Sequence, residues 1–194
     1  MLTIEEFTYL IIVASLSNNY VLVQTLGVSD SMRLLEDREA VPTIALITTS
    51  VMTISSGVNY CFEKIILESL QLVYLRTLSF MLLIAAVVSL HKFFIKKYNV
   101  CSNKIFNIFF PLLFINSAVL GIALQNSENV TSVFQATSHG LGAGIGFSIV
   151  LISFANLQQK ITGPHIPIYL QGGPIALITM GLMSVAFSGF RGIM

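Results

Sequence analysis

Apolar residues fall into six continuous runs, at about 4–24, 41–61, 70–90, 105–125, 133–157 and 173–190, separated by short polar links. Runs of about 18–25 residues can cross the roughly 30 Å hydrocarbon core of a bilayer as helices. A membrane β-barrel would show segments of alternating apolar and polar positions instead. The pattern predicts an all-α membrane protein with six transmembrane helices. The links are too short for a further domain, so residues 1–194 read as one integral membrane domain.

Two of the runs are interrupted by polar groups. The fourth, KIFNIFFPLLFINSAVLGIALQ from Lys104 to Gln125, carries Pro111, Asn116 and Ser117 in its middle. Lipid can satisfy neither an amide nor a hydroxyl there, so a partner within the protein is required. The first run has a similar feature at Asn18-Asn19 in SLSNNYVLVQTLG. Asn19 and Asn116 therefore mark expected polar breaks in the first and fourth helices. A duplicated three-span unit must insert with opposite topology, giving inverted repeats about an axis in the membrane plane. Asn19-Tyr-Val-Leu-Val and Asn116-Ser-Ala-Val-Leu form a faint echo at equivalent places, so pseudo-repeats of about 1–98 and 99–194 are expected. In such folds the broken helices meet near the midplane and hold the substrate, ion or cofactor site.

Composition narrows the function. The chain is 55% hydrophobic and 10% charged, against about 25% charge in an average globular chain. A net charge of +1, with no basic residues interleaved with aromatics, excludes nucleic-acid binding. Glu5 and Glu6 stand where a secretory signal carries Lys or Arg, so the first run is expected to stay as a span. Links after the odd spans hold Arg33, Arg38, Lys92, Lys96, Lys97, Lys104 and Lys160, whereas the other side holds Lys64, Arg76 and Arg191. The positive-inside rule then puts the odd links in the cytoplasm and both termini on the outer side.

Candidate chemistry is sparse. Cys61 and Cys101 fall in links on opposite faces, too far apart for a disulfide, and neither belongs to a metal motif. Gly140, Gly142, Gly144 and Gly146 in TSHGLGAGIGFS set up two small-xxx-small spacings and read as a helix-packing face rather than a phosphate loop. His139 reads as an interface residue, since no further ligand lies at metal spacing, and His165 as a solvated loop residue. Arg76 in LVYLRTLSF reads as snorkelling to the headgroups, with an ion-path or partner-contact role as the sharper alternative. Pro174 suits the first turn of the sixth span. No nucleophile–base arrangement or paired carboxylates lie inside a span. Pumps usually place an ionisable group in the bundle interior, so the chain alone is poorly equipped as one.

The segments NNYVLVQTLG, VYLRTLSF, FFPLLFINSAVLGIAL, GAGIGFSIVLISFA and PIALITMGLMSVAFSGF resemble the A-type family of the Rnf (Rsx) ion-translocating electron-transport complexes. That family is related to the D and E subunits of the sodium-translocating NADH:quinone reductase. The resemblance runs from about residue 10 to the C-terminus, and YLRTLSF favours the A type over its E-type relative. It implies a six-span inverted repeat in the bacterial cytoplasmic (inner) membrane, paired with an E-type sister subunit, with the other Rnf-type subunits around them. The complex couples electron transfer between ferredoxin and NAD to sodium or proton movement. Each sister is implied to give two cysteines to a shared [2Fe–2S] cluster.

Here the chain departs from the pattern. Ser29 in LGVSD and Ser117 in INSAVLG stand where the family has its cluster cysteines. A serine hydroxyl is a hard donor that keeps its proton far better than a thiol of pKa about 8.5. Cys61 and Cys101 match neither position. Loss of ligation by this chain is the preferred reading, over serine ligation or a deliberate replacement of the ligands, and no metal is expected with Ser at both positions. The link SDSMRLLEDRE is also more acidic than the family's roughly CPFMGVSKK. The expected role is thus a non-catalytic or electron-transfer membrane subunit, without NAD, flavin or quinone sites of its own. The rivals are a small transporter, with Asn19, Asn116, Ser117 and His139 lining a polar path, and an assembly-only subunit without redox activity.

Overall fold

In the computed structural model, the described residues are 11, 12, 15, 22, 41–98, 110, 111, 113, 114, 116–161 and 167–189. Among them there is no strand, and the chain is an all-α membrane protein. Helix α1 spans Val41–Phe62 and α2 Arg76–Tyr98; α3 spans Ser117–Asn129, α4 Val133–Ile161 and α5 Gly173–Ser188. With the turns that continue them, three stretches are long and apolar enough to cross a membrane: Val41–Leu67, Val73–Lys97 and Val133–Ile161. Asn19, Ser29, Cys101 and His165 lie outside the described residues, as does most of the first run.

Helix α1 carries an unusual load of hydroxyls for a membrane span, and many of them bond inside their own helix. Thr48, Thr49 and Thr53 donate to the carbonyls of Ile44, Ala45 and Thr49 at 2.8–2.9 Å, and Ser50 donates to Ile47 O at 2.7 Å. A hydroxyl satisfied by the preceding turn costs little in hydrocarbon. The helix then widens into a π-helical turn at Glu63–Leu67. Gln71, with φ of 56°, reverses the chain into a 3-10 turn at Val73–Leu75 that opens α2.

The core contact is between α1 and α4. Lipid tails are as apolar as leucine, so helices in a bilayer associate through close packing and hydrogen bonds rather than the hydrophobic effect. A Cβ at Gly140 would lie 2.8 Å from Met52 O, and one at Gly144 would lie 2.9 Å from Thr49 Cα. The two backbones therefore nearly touch. At the same crossing the Thr49 hydroxyl, whose single hydrogen is shared between Ala45 O and Gly144 O (3.0 Å), lies 2.8 Å from Ser148 Oγ. The glycine run is a packing face, as its spacing predicts.

The other helices are less enclosed. Helix α2 turns Phe80, Ile84, Val87 and Val88 inward at helical spacing and leaves Leu78, Leu82, Leu90 and Phe93 exposed. Only 22% of its apolar window is buried, against 56% for α1 and α4. Helix α5 starts after Gly172, whose φ of 80° suits glycine, with Pro174 in its first turn. It buries Ala176, Thr179, Met180 and Met183 and exposes Leu177, Leu182 and Val185. Ser184 Oγ donates to Leu22 O at 2.6 Å, tying α5 to the first run.

Two run boundaries shift. The third run, drawn at 70–90, becomes a helix from Arg76 to Tyr98, because Gln71 and the 3-10 turn occupy its first residues. The fourth is helical at Phe110, Pro111, Leu113 and Phe114, breaks at Asn116 and resumes as α3 through Asn129.

Candidate functional site at the broken fourth helix and the polar end of the bundle

Asn116 is the break. Its backbone is extended, with φ −64° and ψ 112°, and it caps α3. The side-chain Oδ1 accepts from Ala118 N at 2.8 Å and Val119 N at 3.4 Å, satisfying amides that a new helix start leaves without carbonyl partners. The required partner is thus the helix itself. Asn116 is 5% exposed, and its neighbours Leu113, Ala118 and Val119 are buried with it. Ser117 follows on the exposed side of the helix, as does Pro111 before the break. The positive end of the α3 dipole sits beside it.

The depth of this break can be read along α3. Glu128, twelve positions beyond Asn116, lies 3.9 Å from Arg76 at the start of α2. At ~1.5 Å per residue that places Asn116 about 18 Å from the Arg76 end, well inside a span of roughly 30 Å.

The Arg76 end carries polar groups that hydropathy hid. Arg76 Nε lies 2.7 Å from Glu63 Oε1, and the Glu63 side chain is 1% exposed. Arg76 therefore turns to a carboxylate of its own chain rather than snorkelling to the headgroups. Asn59, one turn before Glu63, is fully buried. Asn126 is buried too; its Nδ2 donates to Ala136 O at 3.3 Å and its Oδ1 lies 2.6 Å from His139 Nδ1. His139 is thus an interface residue between α3 and α4, as its sequence setting suggests. Asn126 is ten positions from Asn116, about 15 Å along the helix, so His139 and Asn116 stand at different depths. Glu63 escaped the sequence reading because it falls two residues past the apolar run drawn to 61. Its signal is a carboxylate thirteen residues before an arginine, across a short turn.

An iron–sulfur cluster wants thiolates, and Ser117 offers an exposed hydroxyl. Cys61, the free cysteine among the described residues, is no replacement. It sits two residues before Glu63, at the Arg76 end, while Ser117 is about 16 Å away along α3. Among the described residues no three His, Cys, Asp or Glu gather as a metal site. Of the two family ligand positions, Ser117 is the one among the described residues, and its hydroxyl is not the thiolate such a cluster takes.

A family model described as "Rnf-Nqr subunit, membrane protein" matches residues 7–194. The chain is 40% identical over 188 residues to the A-type subunit of the ion-translocating oxidoreductase complex of Pseudoalteromonas translucida, covering 97% of each. It is 41% identical to the corresponding subunit of Vibrio vulnificus, covering 97% of this chain and 98% of that one. Identity to the Pseudomonas aeruginosa counterpart is 40%, over 97% of both chains. Matches of this length leave no large segment of either chain outside the shared fold, and the chain belongs to the Rnf-Nqr family of membrane subunits.

Proposed function

We propose that the chain serves as the A-type membrane subunit of an ion-translocating oxidoreductase complex, one that couples electron transfer between ferredoxin and NAD to ion movement. Full-length similarity to relatives bearing that subunit's name supports the role. The observation that carries it furthest is the capped break at Asn116, which sets Ser117 on an exposed face deep in the membrane. That exposed face beside the break is a surface against which a further protein subunit can pack closely. An E-type sister subunit is that partner in this reading. Spans two and five (α1 and α4), equivalent in the inverted repeat, supply the rigid core behind the turn.

With serine at both ligand positions this chain gives the sister a packing surface and no thiolates, and no electron step is routed through it. The basic residues Lys92, Lys96 and Lys97 towards the far end of α2 support a cytoplasmic setting for that end in the inner membrane, with both termini outside in this reading. The transporter alternative loses support, because Asn116 is spent on its own helix and His139 on Asn126. Co-expression with an E-type subunit tests the role: a stable pair that purifies together is expected. A monodisperse, partner-free chain in mild detergent would remove it.

A further inference from the structure

Several side-chain atoms at the Arg76 end are shut from solvent yet make no hydrogen bond: Asn59 Nδ2 and Oδ1, Glu63 Oε2 and Gln125 Oε1. Glu63 Oε1 is taken up by Arg76 Nε at 2.7 Å, which leaves Oε2 as the free carboxylate oxygen. Buried polar atoms are almost always paired, so a group of orphans at one place points to an absent water or ion. They belong together in the fold. Asn59 and Glu63 share one face of α1 at a one-turn interval, Arg76 bridges Glu63 to Glu128, and Gln125 lies one turn before Glu128 on α3. Asn59 and Glu63 are both fully buried.

The chemistry selects the ligand. Orphan oxygens from a carboxylate and two amides are hard donors, suited to an alkali or alkaline-earth cation rather than a soft metal. Two carboxylates against one guanidinium leave a single negative charge, which one monovalent cation neutralises. We propose that Asn59, Glu63, Gln125 and Glu128 form a site for one monovalent alkali cation, with Arg76 as its fixed counter-charge. The exposed Glu128 carboxylate forms its mouth and buried Glu63 and Asn59 its floor. The site lies at the end of α2 opposite Lys96 and Lys97, about 30 Å away along the helix. It is a surface station at one membrane face, separate from the midplane break at Asn116.

The test uses the full chain alone in mild detergent, so its result does not depend on pairing with a sister subunit. Unfolding temperature is measured in sodium, potassium and choline chloride at equal ionic strength. A ligand that binds only the folded state raises it by mass action, and a saturable rise of about 2–4 °C over choline is expected with sodium, potassium or both. Glu63→Gln and Asn59→Leu should each abolish the rise. Asn59→Leu keeps the charges and suits the apolar surroundings, so it decides the matter if Glu63→Gln does not fold. Equal unfolding temperatures in all three salts, or a rise that survives Asn59→Leu, would overturn the site.

Discussion

Glu63 and Arg76 are joined at 2.7 Å across the turn between α1 and α2, with the carboxylate enclosed and the guanidinium a quarter exposed. Taking a carboxylate into a membrane protein is costly without a counter-charge. Arg76 opens α2, so the pair fixes where that helix starts after the reversal at Gln71.

Removing one partner strands the other. Arg76→Met leaves an enclosed carboxylate and is expected to cost about 2 kcal/mol or more, reduced from the full buried-pair penalty by the partial exposure of Arg76. The double variant Arg76→Met/Glu63→Gln should recover most of that loss. A double-mutant cycle on thermal unfolding in detergent checks it, and additive losses would contradict a direct pair.

Close packing of α1 on α4 gives a second expectation. Gly144→Val would drive a side chain into Thr49 and is expected to cost about 3 kcal/mol, or to prevent folding. By contrast a Cβ at Gly181 meets nothing within 4 Å in this chain. Gly181→Ala should stabilise the isolated protein by about 0.5–1 kcal/mol through helix propensity alone. Denaturation of the two variants side by side measures the contrast.

The cap at Asn116 predicts a graded series. Asn116→Ala should lose about 0.5–2 kcal/mol, while Asn116→Asp and Asn116→Ser keep an acceptor for the Ala118 amide and should lose less. Equal losses for all three would mean that the side chain is not acting as a cap.

Much of this was legible in the chain, for identifiable reasons. Continuous apolar runs marked the described helices, Asn116 beside Ser117 marked the break, and the glycine spacing marked a packing face on α4 without naming the helix that fills it. The buried polar end was not legible, because hydropathy averages away single residues such as Asn59 and Glu63 at a run's edge. Arg76 could be placed near a membrane face by sequence, but its partner depended on the reversal at Gln71, which no apolar pattern encodes. The role of Asn116 was half visible: its polarity signalled a gap, while the way the gap is satisfied is a matter of backbone geometry.

The reading of Ser117 as a position shaped for a cluster ligand can be tested directly. The variant Ser29→Cys/Ser117→Cys, purified with an E-type partner and then reduced, would be studied by electron paramagnetic resonance. The account predicts a [2Fe–2S] signal in this variant and none in the unaltered chain with the same partner. Absence of the signal in a well-folded, partner-bound variant would contradict it.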